Sequence, residues 1–316
     1  MANISKINAL ALANIAKVDA ITKANIAKVN GLDLPSGAFT GLLDTYTGAA
    51  AAYSTRRLAS ATTVLLRVRR DTGGGTGDDD EANFKFDTLT DDLTLSSPID
   101  DAGSSSATNL GQFLNATGYT DADSLGSPAD GFVDTWTDQS GNSNNAEQTA
   151  HGSQPKIFDS SSPTDLIKEN GKPVLVNTGN ALLNYGLGNN DQQIFGVIKA
   201  TTAVTNQCVL GSSNNAFLLL MTTQGSSSEL RFSRVTTRDN GAAYSGTSRN
   251  DARLAFADQT LLYCDYTTTA TNGNLHFGFD GNFSMTNLQE VIIYPDTATH
   301  TVGDIETNIN SHFGIF

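Results

Sequence analysis

The run Thr135-Trp136-Thr137-Asp138-Gln139-Ser140-Gly141-Asn142 gathers a carboxylate, two amides and three hydroxyls around the chain's single Trp. Asp, Ser, Gly and Asn favour turns, so the run cannot continue a helix or a central strand. It reads as a strand over 131–136 that breaks into a polar loop. Two jobs suit such a loop. Its side chains can cap their own backbone, as Asx and Ser/Thr turns do. They can equally form a polar patch beside an aromatic plate, which meets sugar hydroxyls and ring faces. The second reading makes Trp136, Asp138, Gln139 and Asn142 carbohydrate-binding candidates, with Tyr53 and Arg56 as neighbours.

Other chemistry-bearing residues are sparse. The four histidines, His151, His276, His300 and His312, form no metal-binding pair such as His-Glu-x-x-His, and each reads as a surface or strand-packing residue. A Ser-His-Asp triad assembles from distant positions, so spacing neither finds nor excludes one. No nucleophile-elbow motif is present. The acidic loop from Asp71 to Glu81 is a candidate calcium holder, because that ion accepts oxygen ligands in flexible geometry. Its spacing does not fit an EF-hand, and a solvated loop is the competing reading. No metal or cofactor is assigned. Arg67, Arg69 and Arg70 lie in an alternating segment, 65–70, which reads as a strand whose charged face pairs with internal carboxylates. Cys208 and Cys264 sit in apolar strand patterns and read as buried free thiols, not as a disulfide framework.

The elements that must position these residues are mostly strands. Segments 174–176, 193–200, 208–210, 217–222, 229–235, 259–266, 274–279 and 288–294 are strand-like and bounded by Gly, Asn and Ser clusters. That pattern predicts an all-β, two-sheet β-sandwich with a few short helices. Segments 193–199 and 216–221 look interior. Residues 84–86 read as a short strand, 96–109 as loop and 110–114 as a helical turn. The Ala-rich stretch 49–57 reads as a short helix or irregular turn. Near the end, Val302, Ile305 and Ile309 share a helix face, with a cap at Thr301 and a stop at Gly314.

Residues 1–34 form a separate unit. Ala2-Asn3-Ile4-Ser5-Lys6-Ile7 recurs as Ala13-Asn14-Ile15-Ala16-Lys17-Val18 and Ala24-Asn25-Ile26-Ala27-Lys28-Val29, three repeats eleven residues apart. A helix with a slightly right-handed superhelical drift suits an eleven-residue period. Short strands turning at Asn residues suit it too. Either way so short a unit cannot bury its own apolar stripe. Ile4, Ile7, Ile15, Val18, Ile26 and Val29 are therefore anchor and oligomer-contact candidates. Leu34-Pro35-Ser36-Gly37 ends the repeat, leaving 35–316 as the sandwich. The net charge of -14 argues against a nucleic-acid surface, which needs clustered Lys and Arg. No secretory leader is evident, and no segment approaches membrane-spanning length, so membrane insertion is not expected.

Several blocks also resemble one family, in order. They are Leu43-Asp44-Thr45-Tyr46, Ala51-Ala52-Tyr53-Ser54-Thr55-Arg56-Arg57-Leu58, Val68-Arg69-Arg70, Asp138-Gln139-Ser140-Gly141, Gln154-Pro155-Lys156-Ile157, Asn170-Gly171-Lys172-Pro173, Glu290-Val291-Ile292-Ile293-Tyr294-Pro295 and Ile305-Glu306-Thr307-Asn308-Ile309. Together they resemble the concanavalin-like catalytic domain of α-L-arabinofuranosidase B. They also look like structural proteins of tailed, notably marine, bacteriophages that carry this domain behind a short repetitive leader. The resemblance implies a concanavalin-like jelly roll. A retaining glycosidase needs two carboxyl groups about 5 Å apart. Where the family has its nucleophilic Glu, Gln207-Cys208-Val209-Leu210-Gly211-Ser212-Ser213-Asn214-Asn215 offers no acid. Asp280, between Phe279 and Gly281, takes the place of the family's acid/base, or is simply a hairpin-turn Asp.

Three functions are therefore expected, in order. The first is a non-catalytic virion structural protein on a tail fibre, baseplate or capsid surface, binding host-surface glycans through a lectin-like domain. The second is a purely structural cement or decoration subunit, and the third a residual glycosidase using Asp280. The expected partners are other virion proteins and further copies through residues 1–34. The expected location is the particle surface, after assembly in the host cytoplasm.

Overall fold

The computed structural model describes residues 39–72, 80–177, 183–185, 187, 192–201, 206–212, 217–222, 235–246, 248–266, 275–277 and 284–316, with six two-residue strands ahead of them. Those strands are β1 (Lys6–Ile7), β2 (Leu10–Ala11), β3 (Lys17–Val18), β4 (Ile21–Thr22), β5 (Lys28–Val29) and β6 (Leu32–Asp33). There follow β7 (Ala51–Ser54), β8 (Leu66–Asp71), β9 (Glu81–Phe84), β10 (Ile99–Asp101), β11 (Asp130–Trp136), β12 (Ala146–Glu147), β13 (Lys156–Phe158), β14 (Lys168–Glu169), β15 (Lys172–Pro173) and β16 (Leu183–Tyr185). The last are β17 (Gln192–Lys199), β18 (Asn206–Ser212), β19 (Phe217–Thr222), β20 (Val235–Asp239), β21 (Ala242–Ala243), β22 (Thr260–Tyr266), β23 (Leu275–Phe277), β24 (Ser284–Met285) and β25 (Asn287–Pro295). The helices are α1 (Leu42–Thr45), α2 (Leu110–Phe113), α3 (Arg249–Ala255) and α4 (Val302–Phe313).

Two sheets make the sandwich. The smaller runs β21-β20-β22-β17-β25-β7. Its central strands are buried on both faces. Ile194, Leu262, Cys264, Val291 and Ile293 point into the core between the sheets. Phe195, Val197, Leu261, Tyr263, Ile292 and Tyr294 point the other way, into a second apolar cluster. Burial on both faces is why these strands read as nearly continuous apolar runs. The expected interior strand at 193–199 is β17, paired along its length with β22 and β25.

The larger sheet runs β10-β9-β8-β11-β12-β16-β23-β18-β19, with β13 and β24 pairing off that path. Its register produces two neighbouring rows across the strands. One row is Ile99, Phe84, Leu66, Trp136, Ala146, Tyr185 and Leu275; its described side chains, Ile99 to Ala146, face the core. The next row, one residue along, is Asp101, Asn83, Arg67, Thr135, Glu147, Asn184 and His276. Successive strand residues point to opposite faces, so Asn83, Arg67, Thr135 and Glu147 stand on the outside of the sheet. Neither apolar cluster of the described residues includes that outer face.

The outer face of the smaller sheet is covered instead. The sequence expectation for 302–313 holds: α4 lays Ile305, Ile309 and Phe313 onto Phe195, Tyr263 and Ile292, and α1 adds Leu42 and Leu43. Gly314 ends α4 with φ 64, the left-handed conformation glycine adopts without strain. Thr301 is the N-cap residue but makes no side-chain cap bond. At the start of the described body, the Arg57 guanidinium lies 4.3 Å from each of the Phe39 and Phe86 ring centres.

Four local expectations are corrected. Ala51–Ser54 is strand β7, because its backbone pairs with β25 and this overrides the helix propensity of Ala. β10 lies inside the expected loop 96–109. The short strand near 84–86 is β9, ending at Phe84. Segment 174–176 makes only isolated bridges, Lys156 to Val176 and Leu175 to Leu288. Strand β19, the expected strand at 217–222, is the last on the described strand path. Of 229–235, only Val235 lies within the described residues.

The leader's described residues are strands. β1 pairs with β2, β3 with β4 and β5 with β6, in matching registers: Ile7 with Leu10, Val18 with Ile21, Val29 with Leu32. Two residues separate the strands of each pair, the spacing of the tightest hairpins. Ile4, Ile15 and Ile26 lie outside the described residues.

Candidate functional site

β7 is the edge of the smaller sheet. Its inner side pairs with β25, so alternate residues turn their backbone groups outward with no strand to meet them. Unpaired strand edges invite association with other chains unless they are covered. Here the polar loop after β11 covers the edge. The Ala52 N–H donates to Asp138 Oδ1 at 2.9 Å, and the Gln139 N–H donates to the Ala52 carbonyl at 2.7 Å. Gln139 Nε2 donates to the carbonyls of Ser54 and Arg56, while its Oε1 accepts from the Leu58 N–H at 2.8 Å and the Thr62 hydroxyl at 3.1 Å. Asn142 Nδ2 donates to the Ala49 carbonyl at 2.8 Å, and Asn144 Nδ2 to that of Ala50 at 2.9 Å.

The loop is held in turn by its own acid. Asp138 accepts from the Ser140 N–H and hydroxyl, both at 2.8 Å, and from the Asn144 N–H at 3.0 Å. The loop therefore acts as a clasp. Its side chains replace the missing neighbour strand of β7.

This changes the carbohydrate-binding assignment. Trp136 is fully buried, packed at 5.7 Å from the Tyr53 ring and 5.9 Å from that of Phe277. Its indole Nε1 has no hydrogen-bond partner among the described residues. A saccharide cannot stack on a ring sealed in the core. Tyr53 is equally buried and donates to the Asn144 carbonyl. Burial, with the Asp138 charge nearby, pushes its phenol well up. Asp138 and Gln139, the residues that form the clasp, are themselves buried. Arg56 belongs to a different group: Nε lies 2.7 Å from Glu290 Oε2, and Nη2 lies 3.0 Å from Glu290 Oε1 and 3.1 Å from Asn308 Oδ1. The structure brings Trp136, Tyr53, Asp138, Gln139 and Asn142 together, as expected, but as a structural joint.

Sequence reasoning missed Glu290 and Asp92. Glu290 is fully buried in β25, where it also accepts from the Ser54 hydroxyl at 2.7 Å. Its bidentate pair with Arg56 satisfies both charges away from water. Asp92 accepts from Lys172 Nζ at 2.9 Å and faces His312 Nε2 at 3.0 Å. Burial alone would raise the Asp92 carboxyl, but His312 and Lys172 outweigh it and hold it below the usual carboxylate range. The only sequence signal for Glu290 was an acid inside an otherwise apolar strand.

The Arg-bearing segment is strand β8, as expected, but its charges divide between the two faces: Arg70 lies over the core residue Phe113 and Arg69 over Phe132. Arg67 pairs with Glu81. Arg70, almost fully buried, pairs with Asp80 and with Asp123 at 2.6 Å. Arg69 donates to Gln154 Oε1 at 2.7 Å and stacks over Phe132 at 4.8 Å. Cys208 and Cys264 are buried free thiols. Burial pushes the Cys208 thiol well up and that of Cys264 up to about 12, so neither is a nucleophile near neutral pH. Gln207 Oε1 accepts from the Thr201 N–H at 2.8 Å. Asp280, residues 213–216 and most of the acidic loop, 73–79, lie outside the described residues. Among the described residues no group of three or more His, Cys, Asp or Glu side chains is arranged to hold a metal ion, and no helix is long and apolar enough to cross a membrane.

No protein-family model matches the chain. No curated protein matches it either. A crystal structure of an arabinofuranosidase complexed with arabinofuranosyl-alpha-1,2-xylobiose is similar over 85% of this chain, at 12% sequence identity and a TM-score of 0.37. The match spans 64% of that enzyme chain, less than two thirds of its length. The all-β sandwich assignment rests on this chain's own strand pairing, in two sheets that are antiparallel except where β18 meets β24.

Proposed function

We propose that this chain is a non-catalytic structural subunit of a multi-copy particle, anchored by its leader and displaying the sandwich. The bacteriophage virion is the setting that its sequence blocks resemble. One observation carries the reading: three hairpins of matching register recur every eleven residues ahead of the body. An isolated two-stranded hairpin is marginal in water, and three strands or more are needed for stability. Each hairpin therefore needs a neighbour, and a repeated hairpin presents the same need three times. The clasp supports the same reading from the other side, since it takes up the polar side chains that looked most like a reaction or binding centre.

The test compares the full chain with residues 39–316 by sedimentation velocity over a hundredfold range of concentration. The full chain self-associates or joins the particle's other proteins, while the shortened chain stays monomeric. A full chain that is monomeric throughout, and that fails to enter particles assembled in its presence, overturns the proposal. Immunogold labelling of purified particles tests the virion setting.

A further inference from the structure

The smaller sheet has two edges, and the clasp covers only one. At the other, β20 and β21 form a hairpin over Asn240 and Gly241, both at positive φ, 48 and 78. Asp239 pairs with Ala242 and Arg238 with Ala243, and the Tyr244 N–H donates to the Thr237 carbonyl at 3.0 Å. Hydrogen-bonded and non-hydrogen-bonded pairs alternate along such a ladder, so the N–H and C=O of Ala243 point away from β20. Neither group has a backbone partner among the described residues. Ala242 and Ala243 are exposed, and no Lys or Pro lies between Asp239 and Gly246 to guard the edge. Phe316, 57% exposed, lies against the turn: a Cβ on Gly241 would come within 3.2 Å of its ring.

The other sandwich edges whose surroundings are described are taken. β7 carries the clasp. β10 is flanked by the next segment, where the Ile99 N–H donates to the Thr108 carbonyl at 3.1 Å and Pro98 bridges to Asn109. The β21 edge is left open. An edge this short, with an exposed ring beside it, accepts a strand of matching length. The leader supplies such strands. Each of its hairpins has two-residue strands and pairs only with itself among the described residues. Charge favours the same match. Lys6, Lys17, Lys23 and Lys28 against Asp19 and Asp33 give the leader +2, which leaves -16 on residues 35–316 of a chain at -14. Bodies of that charge repel one another, while a leader of opposite sign is drawn to them.

We propose that the β21 edge is the docking site for a leader hairpin of a second copy, which adds as a further strand beside Ala243 with Phe316 as the apolar anchor. The inference rests on the leader's reading as an anchor and names what one hairpin grips. The contact joins unlike surfaces, so copies add head to tail or close into a ring.

Sedimentation velocity of the full chain tests it. The native chain self-associates. Ala243→Pro removes the outward N–H without touching the bonds to β20, and abolishes that association. Ala243→Val keeps the N–H and associates as the native chain does. Phe316→Ala raises the concentration for half-association about tenfold. Unaltered urea midpoints verify that the variants fold. Native-strength association of Ala243→Pro or of Phe316→Ala overturns the inference and leaves the leader an anchor to some other surface. A full chain that is monomeric throughout overturns it too, even where that chain enters particles through other proteins. Ala243→Cys chains that link to one another on oxidation would show β21 paired with its own copy, which also overturns it; the native thiols, Cys208 and Cys264, are buried.

Discussion

The two sheets carry opposite outer faces. That of the smaller sheet presents Phe195, Tyr263, Ile292 and Tyr294 and is sealed by α1 and α4. That of the larger sheet presents Asn83, Arg67, Thr135 and Glu147 and carries no apolar layer among the described residues. The strands have the same pleat and similar inward residues. What differs is the identity of alternate residues, and that alone decides whether a face acquires a cover or meets water. A covered face stores stability, and an open one is available for contact. Substitutions should therefore cost stability on the first face and leave it intact on the second.

The largest contrast is expected at Glu290. Glu290→Ala strands the Arg56 guanidinium beneath α4 and lowers stability by about 3–5 kcal/mol. Urea unfolding measures it, and a loss below 1 kcal/mol would mean that α4 does not seal the pair. Next comes the clasp. Gln139→Ala leaves the Ser54 and Arg56 carbonyls and the Leu58 N–H without their partner, at a cost of about 1–3 kcal/mol. It also bares part of the β7 edge, so sedimentation should detect association that the native chain of residues 39–316 does not show.

A smaller effect is pH-dependent and belongs to the covered side. The folded Asp92 carboxyl lies below its unfolded value of about 3.9. A depressed carboxylate stabilises the fold above the unfolded value, and that contribution is lost as pH falls through the folded value. Urea midpoints taken from pH 6 to pH 2.5 should therefore drop more steeply for the native chain than for Asp92→Asn. Parallel curves would show that the His312 and Lys172 contacts are not formed. The smallest effect is on the open face, where Glu147→Ala shifts stability by no more than about 0.5 kcal/mol.

The covered sheet was legible in the sequence because strands buried on both sides advertise themselves as apolar runs. β17, β22 and β25 fall within a residue or two of their expected places. α4 was legible from the spacing of Val302, Ile305 and Ile309 and the stop at Gly314. β7 was not, because an Ala-rich stretch becomes a strand only through its partner, β25. The clasp was half legible. Its residues were recognised as a unit, but their partners on the β7 edge lie more than 75 positions upstream, and no local pattern separates a loop that grips backbone from one that grips a ligand. The polar row was invisible for the same reason. Glu147, Asn184 and His276 are far apart in sequence and become neighbours only through register.

The stack of Phe39, Arg57 and Phe86 has a mechanical consequence. Arg57 also donates to the carbonyls of Ala59 and Ser60, so the guanidinium is fixed from several directions. A ring bolted to it cannot swivel, so the path by which the chain enters the sandwich is set from Phe39 onward.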